Sequence, residues 1–175
     1  MKSSKHWAAS SFIRRHGKAL VFLITLSASI LLSDFVTSPN VGGYRYAVTR
    51  EEWLELDTAQ QISSCQIPRF RLSFMTTDQL IDSLLDSPAI LSTILSSGAD
   101  PYAELSTYSN IPGELQRRKD APQKLLYRFE QSVKNKTESA DSLYLYLITR
   151  HPVYQKQYSS EEIERWEQCC EQVLA

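Results

Sequence analysis

The chain has 175 residues, of which 42 % are hydrophobic and 22 % charged, so its composition excludes an intrinsically disordered protein. Its 5 glycines are too few for a turn-rich all-β fold. The first eighteen residues contain five basic and no acidic side chains, which leaves 14 of the 19 basic residues against all 20 acidic ones in the remainder. An acidic body excludes a nucleic-acid-binding protein, whose affinity depends on neutralising phosphates.

Residues 1–33 have the pattern of an export signal. Basic residues continue to Lys18 and an apolar run follows over residues 19–32, as in the n- and h-regions of a signal peptide. The small residues 27–29 lie inside the apolar run and make a poor cleavage site, so an uncleaved anchor that crosses the bilayer from Ala19 to Val36 is the alternative. Either form predicts a protein that is secreted or held on the extracellular face of the membrane.

A linker and a helical domain are predicted after this segment. Residues 34–48 contain Ser38-Pro39-Asn40 and Gly42-Gly43, which is typical of a flexible linker. Residues 49–175 then carry apolar side chains at helical spacing, interrupted by polar and proline-containing breaks.

Several helix starts in this domain are marked by capping boxes, in which a Ser or Thr and a Glu or Gln three residues later bind each other's backbone N–H. The pattern occurs at Thr49 with Glu52, Thr58 with Gln61, Thr76 with Gln79, and Ser159 with Glu162. Between the second and third of these, Phe70, Leu72 and Phe74 alternate with polar residues, which leaves a short strand, a loop and a single helical turn open.

Proline marks the other helix starts, because its missing N–H is unpaired at the first helical position in any case. The starts are Ser87-Pro88, Asp100-Pro101, Asn110 with Pro112, and Asp120-Ala121-Pro122. A further helix is predicted over residues 140–150, and His151-Pro152 should end it. The predicted fold is therefore all-α, an irregular bundle of about eight short helices behind an N-terminal signal or anchor helix.

Three short runs in the domain carry a family resemblance. The run Thr49-x-x-Glu52-Trp53, followed by Cys65-Gln66-Ile67-Pro68 and Met75-Thr76-Thr77, resembles one found in uncharacterised exported proteins of bacteria. The similarity covers about residues 49–127. It implies export and a helical fold, and it implies no activity or catalytic residue.

The three cysteines, Cys65, Cys169 and Cys170, have two interpretations. In an oxidising compartment a bridge from Cys65 to Cys169 or Cys170 is expected, with one thiol left over. The alternative is that all three are small buried hydrophobic side chains. The chain has no Cys-x-x-Cys and no His-x-x-x-His pattern, so we predict neither a metal site nor a cofactor.

An enzymatic site is the second functional hypothesis. A small extracytoplasmic enzyme would use Cys65 with His151, or a carboxylate pair such as Asp82 with Asp86, Glu51 with Glu52, or Glu161 with Glu162. Cys65 falls at the predicted end of a helix, where the helix dipole disfavours a thiolate.

Tyrosines suggest an interaction surface. Tyr144, Tyr146, Tyr154 and Tyr158 cluster near the C-terminus, and tyrosine is enriched at protein interfaces; the alternative is that they complete the edge of the core. The sequence therefore predicts an exported or surface-tethered helical module for binding or structural interaction. Its expected partner is an unknown protein or cell-envelope component, with membrane contact through Ala19 to Val36 if the leader is uncleaved.

Overall fold

The computed structural model describes residues 42–90, 100–135 and 140–174, and all regular secondary structure within these ranges is helical. The predicted leader over residues 1–33 lies outside them. No helix in the described ranges combines the length and apolarity needed to cross a bilayer. The all-α prediction is thus confirmed for the described part of the chain.

The helices are short and follow one another closely. They are α1 Arg50–Leu54, α2 Thr58–Ser64, α3 Arg69–Phe74, α4 Thr77–Leu85, α5 Pro101–Tyr108, α6 Ile111–Leu115, α7 Ala121–Lys134, α8 Asp141–Thr149, α9 Pro152–Gln155 and α10 Ser160–Leu174. Two of them, α3 and α9, differ from the prediction. The alternating stretch around Leu72 forms α3, and the expected stop at His151-Pro152 is followed at once by α9.

Local side-chain caps start four of these helices, α1, α4, α5 and α10, as predicted. The boxes at Thr49, Thr76 and Ser159 form with both reciprocal hydrogen bonds. The predicted box at Thr58 is wrong by one residue. Asp57 is the N-cap of α2, and its carboxylate accepts from the Gln60 N–H at 2.9 Å, since aspartate caps a helix at least as well as threonine.

Two predicted N-caps bind neighbouring elements instead of their own helix. Neither Asn110 nor Asp120 caps with its side chain. The Asn110 amide is paired with the backbone of Ile67, accepting from its N–H at 3.1 Å and donating to its C=O at 2.8 Å. Asp120 accepts from the Thr77 hydroxyl at 2.7 Å. These polar side chains therefore hold separate helices together.

The core is organised around α7. Its buried Leu125, Leu126 and Phe129 face the elements packed on it, which include α4, α8 and α10. Along the seam with α4, Lys124 pairs with Asp78 and Arg128 pairs with Asp82, so two ion pairs one turn apart flank the apolar contact. The buried Trp53 extends the core beneath α1 and donates from its indole N–H to the Gln61 carbonyl at 3.1 Å.

Residues 42–48 belong to the helical domain, which corrects their assignment to a flexible linker. The compact unit begins at Gly42. The Tyr44 N–H donates to the Ser83 hydroxyl at 2.6 Å and the Tyr46 hydroxyl donates to the Ser83 carbonyl at 2.9 Å. A Cβ on Gly43 would lie 2.4 Å from the Ser83 nitrogen, so only glycine lets the chain approach α4 this closely.

Candidate functional site

Cys65 has the surroundings of a structural thiol. It is the C-cap of α2, it is completely buried, and its Sγ lies 4.0 Å from the Ser87 hydroxyl. Burial raises the pKa of this thiol above its ordinary value. Because the thiolate is the nucleophilic form, these surroundings oppose the catalytic role considered for Cys65.

His151 joins two helix starts. Its Nδ1 accepts from the Val153 N–H at 3.3 Å and caps α9, which leaves Nε2 to donate to the Asp100 carboxylate at 3.2 Å. The other oxygen of Asp100 caps α5 by accepting from the N–H groups of Tyr102 and Ala103. With both ring nitrogens engaged, neither is left to accept a proton from a nucleophile.

The predicted Cys65–His151 pair does not form. The polar neighbour of Cys65 is Ser87, whereas the side chain of His151 lies against Asp100 and the Tyr102 ring, whose centroid is 4.6 Å away. The geometry of each side chain is thus set by a different polar neighbour.

In each carboxylate pair, one member makes a hydrogen bond or an ion pair within the domain and the other is exposed to solvent. Glu52 and Glu162 complete capping boxes, while their neighbours Glu51 and Glu161 are exposed. Asp82 binds Arg128, and Asp86 is exposed. Burial raises the pKa of Asp82 against the opposing effect of Arg128. Among the described residues, no three His, Cys, Asp or Glu side chains are grouped as metal ligands.

The three cysteines are free and buried in the structure, as in the second interpretation. The bridge from Cys65 to Cys169 or Cys170 stays a prediction for an oxidising compartment. Cys169 and Cys170 are buried on α10, near the C-terminal end of the sequence and far along the chain from Cys65. Burial raises the pKa of both, that of Cys170 to about 11.

The tyrosine surface is a wrong prediction for most of its members. Tyr144, Tyr154 and Tyr158 are buried, and Tyr146 is half-buried with its ring stacked on Trp166 at 6.2 Å. Inside the core the Tyr154 and Tyr102 hydroxyls are 2.5 Å apart. The face of α8 that carries Tyr144 and Ile148 is thus covered by other helices of the chain, as the core alternative required.

A small apolar cavity lies beside these tyrosines. It has a volume of about 10 Å³ and is lined by residues that include Tyr102, Leu105, Tyr144 and Ile148. A space of this size is no larger than one water molecule needs. It lies between α5, α8 and Ile90.

The feature that stands out from the rest of the described surface is α3. Phe70 and Phe74 are 68 % and 71 % exposed and lie four residues apart, so they occupy one face of the helix. Leu72 is buried and fixes the opposite side. We call Phe70 and Phe74 the α3 face. Its signal in the sequence is a pair of phenylalanines at helical spacing, the first of them flanked by Arg69 and Arg71, but the alternation with Leu72 concealed it.

Comparison with protein-family models, with curated proteins and with solved structures finds no match. The resemblance to exported bacterial proteins therefore stays a prediction.

The residues that carry this resemblance have structural roles in the domain. Glu52 caps α1, Trp53 is buried, the Gln66 amide donates to the Tyr108 carbonyl at 2.6 Å, and Ile67 is paired with Asn110. These residues join α1 and the turn between α2 and α3 to the last residue of α5 and to Asn110.

Proposed function

We propose that this protein is an exported or surface-tethered helical module that acts by binding, and that the α3 face is its contact surface. The leader pattern of residues 1–33 supports export. The commitment of His151, Asp100 and Glu52 to helix caps supports binding over catalysis, because groups used in the scaffold are not free to act on a substrate.

The exposure of Phe70 and Phe74 is the observation that carries the proposal. Burying one phenylalanine side chain contributes about 1.5–3 kcal/mol. Single exposed hydrophobic residues are ordinary, but two on the same helical face form a continuous apolar patch. Buried Leu72 and the hydrogen bond from the Arg118 guanidinium to the Leu72 carbonyl, at 3.4 Å, hold that patch in a fixed position.

Export is tested with a single exposed thiol. In the variant Gln123→Cys, the new side chain lies on the exposed surface of α7, whereas the three native thiols are buried. A membrane-impermeant maleimide added to intact cells should label this variant and leave the natural chain unlabelled. Labelling that requires cell lysis would contradict export.

Binding is tested by photo-cross-linking from the α3 face. A benzoylphenylalanine introduced at Phe70 should form an adduct in intact cells, and the same group at Ala103, an exposed position on α5, should form none. Equal yields at both positions would show that the α3 face has no preferred contact.

A further inference from the structure

We propose that the α3 face docks on an anionic lipid surface, that of the bilayer to which the leader directs the chain. This inference rests on the proposed export or tethering and names the partner of the same surface. Three properties of the described residues lead to it: the aromatic pair, the basic side chains around it and the position at which the chain enters the domain.

The aromatic pair is suited to the interface of a membrane. Phe70 and Phe74 project from one face of a helix, and buried Leu72 anchors the other side in the core. A helix that lies along a bilayer places aromatic and aliphatic side chains among the acyl chains and basic ones among the headgroups. The α3 helix has this distribution in six residues, since Arg69 and Arg71 are exposed beside the two phenylalanines.

A second basic group adjoins α3. Arg117, Arg118 and Lys119 follow α6, and the Arg118 side chain reaches the Leu72 carbonyl of α3. Glu114 neutralises part of this charge, at 3.0 Å from Arg117 and 2.8 Å from Arg118.

The charge around α3 contrasts with that of the whole domain. The chain beyond residue 18 holds 14 basic and 20 acidic residues, so basic side chains are concentrated here within an acidic molecule. Such a patch is attracted to anionic headgroups, while the remaining surface is repelled by them. The domain would therefore approach the bilayer with α3 foremost.

The chain also enters the domain beside α3. The Arg71 guanidinium lies over the Tyr44 ring, 5.0 Å from its centroid. The predicted anchor ends at Val36, and only residues 37–41 separate it from Gly42. At roughly 3.3–3.6 Å per residue, a chain of this length reaches about 20 Å. In an anchored molecule this length limits how far Tyr44, and Arg71 of α3 beside it, can lie from the end of the anchor.

Self-association is the weaker explanation of the same surface. A two-fold symmetric contact through the α3 face would bring Arg69 and Arg71 of one molecule against those of the other, and like charges at close range oppose that contact.

The test uses the full chain reconstituted in lipid nanodiscs. An environment-sensitive fluorophore is attached at Ser73→Cys, an exposed position on α3, and at Gln123→Cys on α7 as the matched control. In discs that contain phosphatidylglycerol, the Ser73 probe should shift to the blue and be quenched by spin-labelled lipid. The Gln123 probe should remain in water.

Charge and apolar variants separate the two contributions. Arg69→Gln with Arg71→Gln should lower the ratio of docked to undocked molecules roughly 30-fold, since each basic residue near an anionic surface contributes about a factor of five. Phe70→Ser with Phe74→Ser should remove the quenching by lipid. Tyr127→Ser, which alters an exposed aromatic residue on α7, should leave docking unchanged.

A Ser73 probe that stays in water in these discs overturns lipid docking. A probe that leaves water only in samples in which light scattering shows dimers overturns it as well. Quenching of equal strength in discs of phosphatidylcholine alone overturns the electrostatic selectivity. In each of these cases, specific photo-cross-linking of a protein from position 70 would still support the proposed binding function. If no adduct forms and the probe does not shift, both the binding function and the lipid docking are contradicted.

Discussion

At the scale of single residues, small details of packing decide which substitutions the domain tolerates. Gly43 and Gly113 show the contrast. A Cβ on Gly43 would meet the Ser83 backbone and hydroxyl, whereas a Cβ on Gly113 in α6 would meet no atom within 4 Å. The two positions therefore form a natural pair of test and control.

Gly43→Ala should lower the free energy of unfolding by about 1–3 kcal/mol, because the added methyl group overpacks the contact with α4. Gly113→Ala should be neutral or stabilise by up to about 1 kcal/mol, since alanine favours a helix over glycine. Urea unfolding monitored by circular dichroism measures both. A Gly43→Ala variant as stable as the natural chain would mean that residues 42–48 are not held on α4.

The buried tyrosine hydroxyls form a second contrast. The Tyr154 hydroxyl is paired with Tyr102, while the buried Tyr158 hydroxyl has no hydrogen-bond partner among the described residues. Tyr154→Phe should cost about 0.5–1.5 kcal/mol through the lost hydrogen bond. Tyr158→Phe should leave the stability unchanged or raise it, because it removes a polar group that is buried without a partner. Equal losses in thermal unfolding would show that both hydroxyls are bonded.

At the scale of elements, polar side chains join helices that are distant in the sequence. The Asn110 amide pairs with Ile67, 43 residues away, and thereby ties the start of α6 to the turn between α2 and α3. The turn that precedes α3 is therefore held by Asn110 together with the Gln66 amide, which donates to the Tyr108 carbonyl, and both side chains help to orient the helix that carries the α3 face.

Asn110→Ala should destabilise the domain by about 1–3 kcal/mol, because both backbone groups of Ile67 lose their partner in a partly buried position. Ser106→Ala, which removes a local hydroxyl-to-carbonyl bond on α5, is the control and should change the stability by less than about 0.5 kcal/mol. Hydrogen exchange at the Ile67 amide should accelerate in the first variant only. An unchanged exchange rate would contradict the role assigned to Asn110.

The link between Thr77 and Asp120 makes the stability of the α4–α7 seam depend on pH. The Thr77 hydroxyl holds the pKa of Asp120 below its ordinary value of 3.8. A depressed pKa in the folded chain adds stability above the unfolded value, and that stability is lost as the pH falls through the folded value. Thr77→Val should therefore cost more stability at about pH 6 than at about pH 2.

Nuclear magnetic resonance titration provides the site-specific control for this variant. In the natural chain, Asp120 should titrate below Asp82, whose pKa is raised by burial. In Thr77→Val, the pKa of Asp120 should rise and that of Asp82 should stay where it was. A stability difference that does not vary with pH would show that the hydroxyl contributes nothing to the ionised form.

At the scale of the whole molecule, the buried thiols report on cooperative unfolding. Cys65 lies at the end of α2 and Cys170 lies on α10, so the two sample opposite parts of the chain. The raised pKa of Cys170, about 11 against an ordinary 9.0, should reduce its reaction with a disulfide reagent near pH 8 by roughly 100-fold.

Unfolding in urea should release all three thiols together, as expected for a single cooperative domain. An exposed thiol introduced by Gln123→Cys should react quickly in both states and so calibrates the reagent. Release of Cys169 and Cys170 well before Cys65 would show that α10 opens on its own.

How much the sequence predicts follows from the range of each interaction. The capping box of Thr49 with Glu52 spans four residues, so its helix start could be read directly. The hydrogen bonds that Asn110 and Asp120 make to other helices could not be predicted from the sequence, because their partners Ile67 and Thr77 each lie 43 residues away. Long-range partners of this kind leave no local pattern.

The candidate surface was missed for a related reason. Periodicity places Tyr144 on an apolar face of α8, but it does not show that helices from elsewhere in the chain bury that face while Leu143 on the same helix stays 42 % exposed. The six residues of α3 fit both the alternating pattern of a strand and the four-residue spacing of a helix. Which side chains stay exposed was decided by the burial of Leu72 and the position of Arg118.

The attachment of Tyr44 and Tyr46 to Ser83 has a mechanical consequence. Tension on the chain ahead of Gly42 is transmitted to the last turn of α4 through these two hydrogen bonds before it reaches α1. Ser83 is therefore the residue of α4 at which such a load is resisted, and the chain from α1 onward is loaded only after both hydrogen bonds have broken.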